Sequence, residues 1–138
     1  MRFAPEGHPF IGAALLLACG GWLAVMQFGG WSMIAIAIIL STLTLFVFWF
    51  FRDPPRKLPD NSTAVVAPGE GRVIDIREVE EPSFLQSTAR RISIFLSVFD
   101  VHVQRSPVDG VVEHREYRAG TYQAAWLDKA SEHNEQAS

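Results

Sequence analysis

Two uninterrupted apolar runs occupy the first third of the chain. "FIGAALLLACGGWLAVMQF" (10–28) and "WSMIAIAIILSTLTLFVFWFF" (31–51) hold no charged residue. Each is about long enough, at ~1.5 Å per residue, to cross a ~30 Å hydrocarbon core as a helix. Gly29 and Gly30 supply the turn between them. A bilayer offers the backbone no hydrogen-bond partners, so the pattern predicts a two-helix transmembrane hairpin over residues 1–51. "RDPPRKLPDN" opens a stalk over 52–63, where three prolines oppose helix and favour an extended path. From Ala64 the periodicity changes to two. "AVVA" (64–67), "RVIDIREV" (72–79), "RISIFLSV" (91–98), "VHVQRS" (101–106) and "VVEHREY" (111–117) read as short strands, so residues 64–138 are predicted to be a mainly-β domain. "EEPSFLQSTA" (80–89) is expected as a longer crossing or lid, with "EVEE" (78–81) in a solvated loop.

An internal repeat refines the β half. "PGEGRV" (68–73) and "PVDGVV" (107–112) share Pro-x-acid-Gly-x-Val at a displacement of 107 − 68 = 39 residues. A two-copy repeat of strand, acidic-Gly turn and strand resembles the interlocking halves of a lipoyl-like barrel-sandwich. The plain alternative is that Pro and Asp-Gly recur at tight turns. The polar stretch after Thr121 loses the alternation, so the sandwich reads as incomplete at the C-terminus, with edges that folded proteins normally protect.

Charge is segregated. Residues 10–51 carry none, and apart from Arg2 and Glu6 every charge lies from Arg52 onward. The inter-helix turn lacks positive residues, while Arg2 precedes the first helix and Arg52, Arg56 and Lys57 follow the second. Both ends are therefore expected on the cytoplasmic side of the cell (inner) membrane. A cleaved signal peptide is the competing reading of the first run, but one Arg in its n-region and a long apolar core oppose it. With 12 basic against 15 acidic residues the net charge is −3, which offers no footprint for nucleic acid. The single Cys19 allows no intramolecular disulfide.

The order of parts resembles a known family. A hairpin ending in "WFFRDPPRKLP", then "VVAPGEGRV", "ISIFLSVFDVHVQRSPVDGVV", "YRAGTY" and "LDKASEHNEQ" are similar to the short, membrane-anchored branch of the phosphatidylserine decarboxylase proenzymes, including archaetidylserine decarboxylase relatives. The resemblance implies pyruvoyl-dependent conversion of phosphatidylserine to phosphatidylethanolamine. It implies a proenzyme that cuts itself at a Gly-Ser bond and turns that serine into the pyruvoyl group. The ketone of this group takes up the lipid amine and draws electrons from the bond to the departing carboxylate. The implied partners are the phospholipid membrane, phosphatidylserine and a C-terminal pyruvoyl-bearing chain from the same precursor.

The family's residues map onto this sequence one by one. His102 matches the family's histidine placed five residues before a proline, here Pro107, and an imidazole suits proton delivery to a carbanion-like centre. Without the resemblance an isolated strand histidine reads as structural. Glu70 stands where the family often has Asp, one methylene shorter, and the resemblance implies for it a catalytic role as the acid that orients the self-cleavage machinery. Arg105 stands where some members carry a second histidine; it cannot act as a base, and pairing with the substrate phosphate or carboxylate is its expected use. No Gly-Ser dipeptide occurs in the 138 residues, so the chain is expected to be the N-terminal part of a truncated proenzyme, inactive alone, with no pyruvoyl serine. His114 reads as a surface strand residue, and no metal site is expected. The rival functions are a membrane-tethered lipoyl-like carrier or adaptor, for which "LDKAS" offers Lys129, and a non-catalytic structural membrane protein. The carrier reading is weakened because Lys129 follows both repeat copies and residues 74–106 contain no lysine.

Overall fold

A computed structural model describes residues 2–61, 63–82, 84–123 and 133–138. They fall into two compact units, one of residues 1–70 with 96–107 and one of 71–95 with 108–138.

The first unit is built on the helical hairpin. A short strand β1 (Arg2–Phe3) and a single 3-10 turn (Pro5–Gly7) lead into helix α1 (His8–Phe28), whose early Pro9 occupies a position where no intrahelical N–H is needed. Gly29 ends α1 at φ +67° and Gly30 follows at +91°, backbone angles that side chains oppose, so the turn is made where the sequence places its glycine pair. Helix α2 (Trp31–Phe50) returns, and β2 (Arg52–Asp53) pairs antiparallel with β1, Arg2 opposite Asp53 and Phe3 opposite Arg52. The hairpin is thus closed at its open end, with both ends of the chain segment together. Both helices are long and apolar enough to cross a membrane.

Small residues line the helix contact. Ile11, Ala14 and Ala18 of α1 are buried, as are Ala37 and Thr44 of α2. Gly21 faces Ala37 so closely that an added Cβ would stand 3.4 Å from its Cα, whereas Gly20 faces open space. Where two helices share apolar surroundings, close packing and polar crosslinks hold them together. Here the Thr44 hydroxyl donates to Ala14 O at 3.0 Å, and Trp22 Nε1 donates to Ser41 Oγ at 3.0 Å. The outward-facing positions are large and apolar, with Leu16 76% and Met26 81% exposed, a surface suited to lipid and not to water.

The second unit contains one substantial hairpin. β3 (Arg72–Glu81) pairs antiparallel with β4 (Ser87–Phe95), Ile76 opposite Ile92 and Glu78 opposite Arg90, with a bulge between Val73 and Asp75. Gly71 enters β3 at φ +141°, against Phe95 O, where a Cβ has no room. Among the described residues the unit also holds a small pair, β5 (Tyr117–Arg118) with β6 (Gln136–Ala137).

Several expectations need correction. The described residues form three two-stranded antiparallel sheets and no closed barrel, so the architecture shown is apolar helices with small antiparallel sheets. "EVEE" lies within β3, where Glu78 meets Arg90 at 3.8 Å and Glu80 accepts from Thr88 Oγ1 at 2.7 Å. Cross-strand partners turn that acidic run from loop into strand, and of the expected long crossing Glu80 and Glu81 fall in β3 and Ser87, Thr88 and Ala89 in β4. The segments 64–67, 101–106 and 111–116 are not strands. For 101–106 the reason is visible: its backbone groups bond to side chains and to single carbonyls instead of to a ladder.

Candidate functional site

Residues 96–107 form an irregular segment within the first unit, and the sequence explains how it is held. Ser97 and Asp100 make a tight turn, with Asp100 N–H donating to Ser97 O at 2.9 Å and Ser97 N–H to the Asp100 carboxylate at 2.8 Å. Val101 follows as the anchor: at 1% exposure it is the largest fully buried side chain among the described residues. Its N–H donates to the Glu70 carboxylate at 3.0 Å. His102 comes next, half-buried, so the Glu70 carboxylate is bonded to the backbone of the residue immediately before it.

The imidazole is fixed on two sides. Its ring stacks on Phe50, the last residue of α2, with centroids 4.0 Å apart and planes at 29°. Nδ1 lies 3.0 Å from Asp100 O. A carbonyl oxygen only accepts, so this bond requires Nδ1 to carry the proton and leaves Nε2 as the nitrogen for proton exchange. That is the arrangement a general acid–base group needs: one nitrogen spent on orientation, the other available for chemistry.

Arg105 is paired with Asp53. Its Nη2 donates to both Asp53 carboxylate oxygens, at 2.6 and 2.8 Å, while its N–H donates to Pro68 O at 2.8 Å. A guanidinium has five donors, and with its side chain 48% exposed Arg105 can serve Asp53 and a second anion together.

Sequence reasoning missed Arg52, Asp53, Arg56 and Phe50 as site residues. Arg52 lies over the Trp49 ring at 4.0 Å, donates to Trp49 O and Phe99 O at 2.8 Å each, and stands 4.0 Å from the Glu70 carboxylate. Arg56 donates to Val103 O at 2.7 Å and to Pro68 O at 3.3 Å. The signal for them was present as "FFRDPPR", but a basic cluster behind a transmembrane run reads first as a topology determinant.

The repeat has a structural counterpart. Val66 N–H donates to Pro107 O at 3.0 Å, and Arg105 N–H to Pro68 O at 2.8 Å. Shifting each residue by the 39-residue displacement exchanges these two bonds. The approaches to the two acidic-Gly turns therefore run antiparallel about a local pseudo-two-fold.

Other candidates are accounted for locally. His114 is not in a strand; it stacks on Phe84 at 5.6 Å and meets Glu116 at 3.7 Å. Lys129 lies outside the described residues. Tyr117 and Tyr122 both hold their phenol protons more tightly than usual, Tyr117 through desolvation and then the Glu135 charge, Tyr122 through its hydrogen bond to Glu135 and then that charge.

Comparison with known proteins shows the family. The phosphatidylserine decarboxylase family model matches residues 43–138, which include the end of α2, the exit segment and the whole His102 loop. The phosphatidylserine decarboxylase proenzyme of Symbiobacterium thermophilum is 50% identical over 134 residues, 97% of this chain and 59% of that protein. That of Salinibacter ruber is 54% identical over 94 residues, 67% of this chain and 41% of that protein. That of Nitrosomonas eutropha is 43% identical over 132 residues, 96% of this chain and 57% of that protein. The chain spans about half the length of the curated relatives it matches. No solved structure matches it.

Proposed function

Because the chain belongs to the phosphatidylserine decarboxylase family, we propose that it supplies the membrane anchor and the proton-transfer histidine for decarboxylation of phosphatidylserine to phosphatidylethanolamine. One observation carries this reading: the His102 ring is stacked on the last residue of a membrane-competent helix, with Nδ1 tied back to Asp100 O and Nε2 left for chemistry.

The prosthetic group implied by the family is a pyruvoyl group on a chain from the same precursor, and the donor set fits it. A carbonyl electron sink needs a nearby proton carrier and a counter-charge for the acidic head, and His102 and Arg105 are of those kinds. When bound, the group supplies the sink that lets carbon dioxide leave. This chain's own work is the remainder. Arg105 holds the anionic head with the N–H groups that Asp53 does not use. His102 Nε2, after taking up a proton from water to give the imidazolium, delivers it to the carbon that has lost its carboxylate and returns to the Nδ1–H form. Glu70 fixes the Val101 backbone and with it the height of the imidazole.

The domain plan follows the same reading: a hairpin over 1–51, a stalk over 52–63 and a β domain over 64–138. Both chain ends lie on the cytoplasmic side of the inner membrane, which the flanking Arg2, Arg52, Arg56 and Lys57 support. The pseudo-two-fold between the repeat approaches supports a lipoyl-like sandwich completed by the pyruvoyl-bearing chain. The exposed β3–β4 residues Val73, Ile74, Ile76 and Ile92 are consistent with that completion.

The test is His102→Ala in the protein expressed from its complete reading frame. Self-cleavage is expected to proceed while decarboxylation falls by roughly 10² to 10⁴-fold, the usual contribution of a positioned acid–base group. Normal turnover would return His102 to a packing role.

A further inference from the structure

The His102 segment lies in no assigned strand, and its backbone bonds to another segment are Arg105 N–H to Pro68 O and Val66 N–H to Pro107 O, beyond the histidine. Nearer the histidine, two arginines of the exit segment hold backbone carbonyls on either side of it. Arg52 holds Phe99 O at 2.8 Å, a carbonyl that also accepts from Trp49 Nε1 at 3.2 Å. Arg56 holds Val103 O at 2.7 Å. His102 lies between these two carbonyls, three residues after one and one residue before the other. Each guanidinium spends a second nitrogen elsewhere: Arg52 Nη1 on Trp49 O, at the end of α2, and Arg56 Nη1 on Pro68 O, at the head of the first repeat copy. The Arg52 side chain is only 11% exposed, packed over the Trp49 ring.

From this geometry we propose that Arg52 and Arg56 are positioning residues, a two-point clamp that sets the His102 imidazole relative to the end of the membrane helix. The inference rests on the decarboxylase reading above. A guanidinium is required because a fork of N–H groups spans two carbonyls in fixed geometry, whereas an ammonium is a point donor on a flexible stem. The clamp explains why a segment of strand-like composition is irregular. It also gives the exit arginines a task beyond orienting the hairpin, since any displacement of α2 reaches His102 through Trp49, Arg52 and Phe99. Small misplacements of a reacting group are costly in rate.

The experiment uses Arg52→Lys and Arg56→Lys, which keep the charge and spare the fold more than neutral replacements, in the protein from the complete reading frame. Each is expected to lower kcat roughly tenfold or more with KM little changed. In a His102→Ala background neither should lower the residual rate further, because the clamp acts through that ring. The His102 ring-nitrogen resonances supply a readout independent of turnover. The wild type should show the Nδ1–H form of the neutral ring, and the lysine variants a mixture of tautomers. Equal losses with and without His102, a change confined to KM, or unaltered ring resonances would each overturn the clamp. A wild-type protein that releases no carbon dioxide would instead remove the decarboxylase reading. An active wild type with insensitive lysine variants removes the clamp alone.

Discussion

At the residue scale, the site is organised by backbone groups more than by side chains meeting each other. Glu70 is informative because its carboxylate accepts from the N–H of Val101, the residue before His102. Replacing it by Ala should leave that donor without its acceptor, at a cost of about 1 to 3 kcal/mol. The Val101 amide should then exchange with solvent measurably faster, while Glu70→Gln, which keeps an acceptor oxygen, should preserve most of its protection. Unchanged exchange in both variants would remove Glu70 from the support of His102. The tyrosines offer a second check, since Tyr117 and Tyr122 are the only two in the chain. Alkaline spectroscopic titration should show both phenols ionising above the ordinary value of about 10. Glu135→Gln should bring Tyr122 down the further, as Glu135 supplies its first two causes. Because the folded-state values are raised, this contribution to β5–β6 is complete below the unfolded value and is lost as pH rises through the folded ones. His102 and Glu70 could be picked out by their place in the family pattern. Arg52 and Arg56 could not, because a side chain donating to distant carbonyls leaves no periodic trace.

At the element scale, the hairpin was legible because a long charge-free run has few alternatives. Structure begins α1 at His8, two residues before the expected start, and ends α2 at Phe50, one before the expected end. Strands were legible only where each side has a partner. β3 and β4 satisfy that condition, whereas "VHVQRS" alternates like a strand and is instead held by Arg56, Glu70 and Pro68 O. Alternation reports a surface with two faces; it does not report whether a ladder exists to receive it. The helix contact yields its own prediction. Thr44→Ala removes the hydroxyl bond to Ala14 O and should weaken hairpin association by about 0.6 to 2 kcal/mol, the range for interhelical hydrogen bonds in lipid. Reversible unfolding of the full-length protein in bicelles would measure it. A loss no larger than that from Thr42→Ala, whose hydroxyl only back-bonds within α2, would show that the crosslink is unimportant.

At the scale of the whole molecule, the end of α2, the exit segment and the His102 loop belong to one compact unit. Under the proposed function, anchor and chemistry would be one device. Deleting residues 1–51 should reduce turnover of phosphatidylserine in bilayers more than turnover of a short-chain soluble analogue, and equal losses would separate the two roles. The repeat was legible in outline as Pro-x-acid-Gly-x-Val, but its pseudo-two-fold pairing emerged only from the exchanged bonds at Val66 and Arg105. The central claim is that this chain is part of a self-processing, pyruvoyl-dependent decarboxylase, and intact mass spectrometry of the product of the complete reading frame tests it most directly. The account predicts two fragments, the larger containing residues 1–138 and the smaller beginning with a pyruvoyl group. A single uncut species with no carbonyl-capped fragment would contradict it.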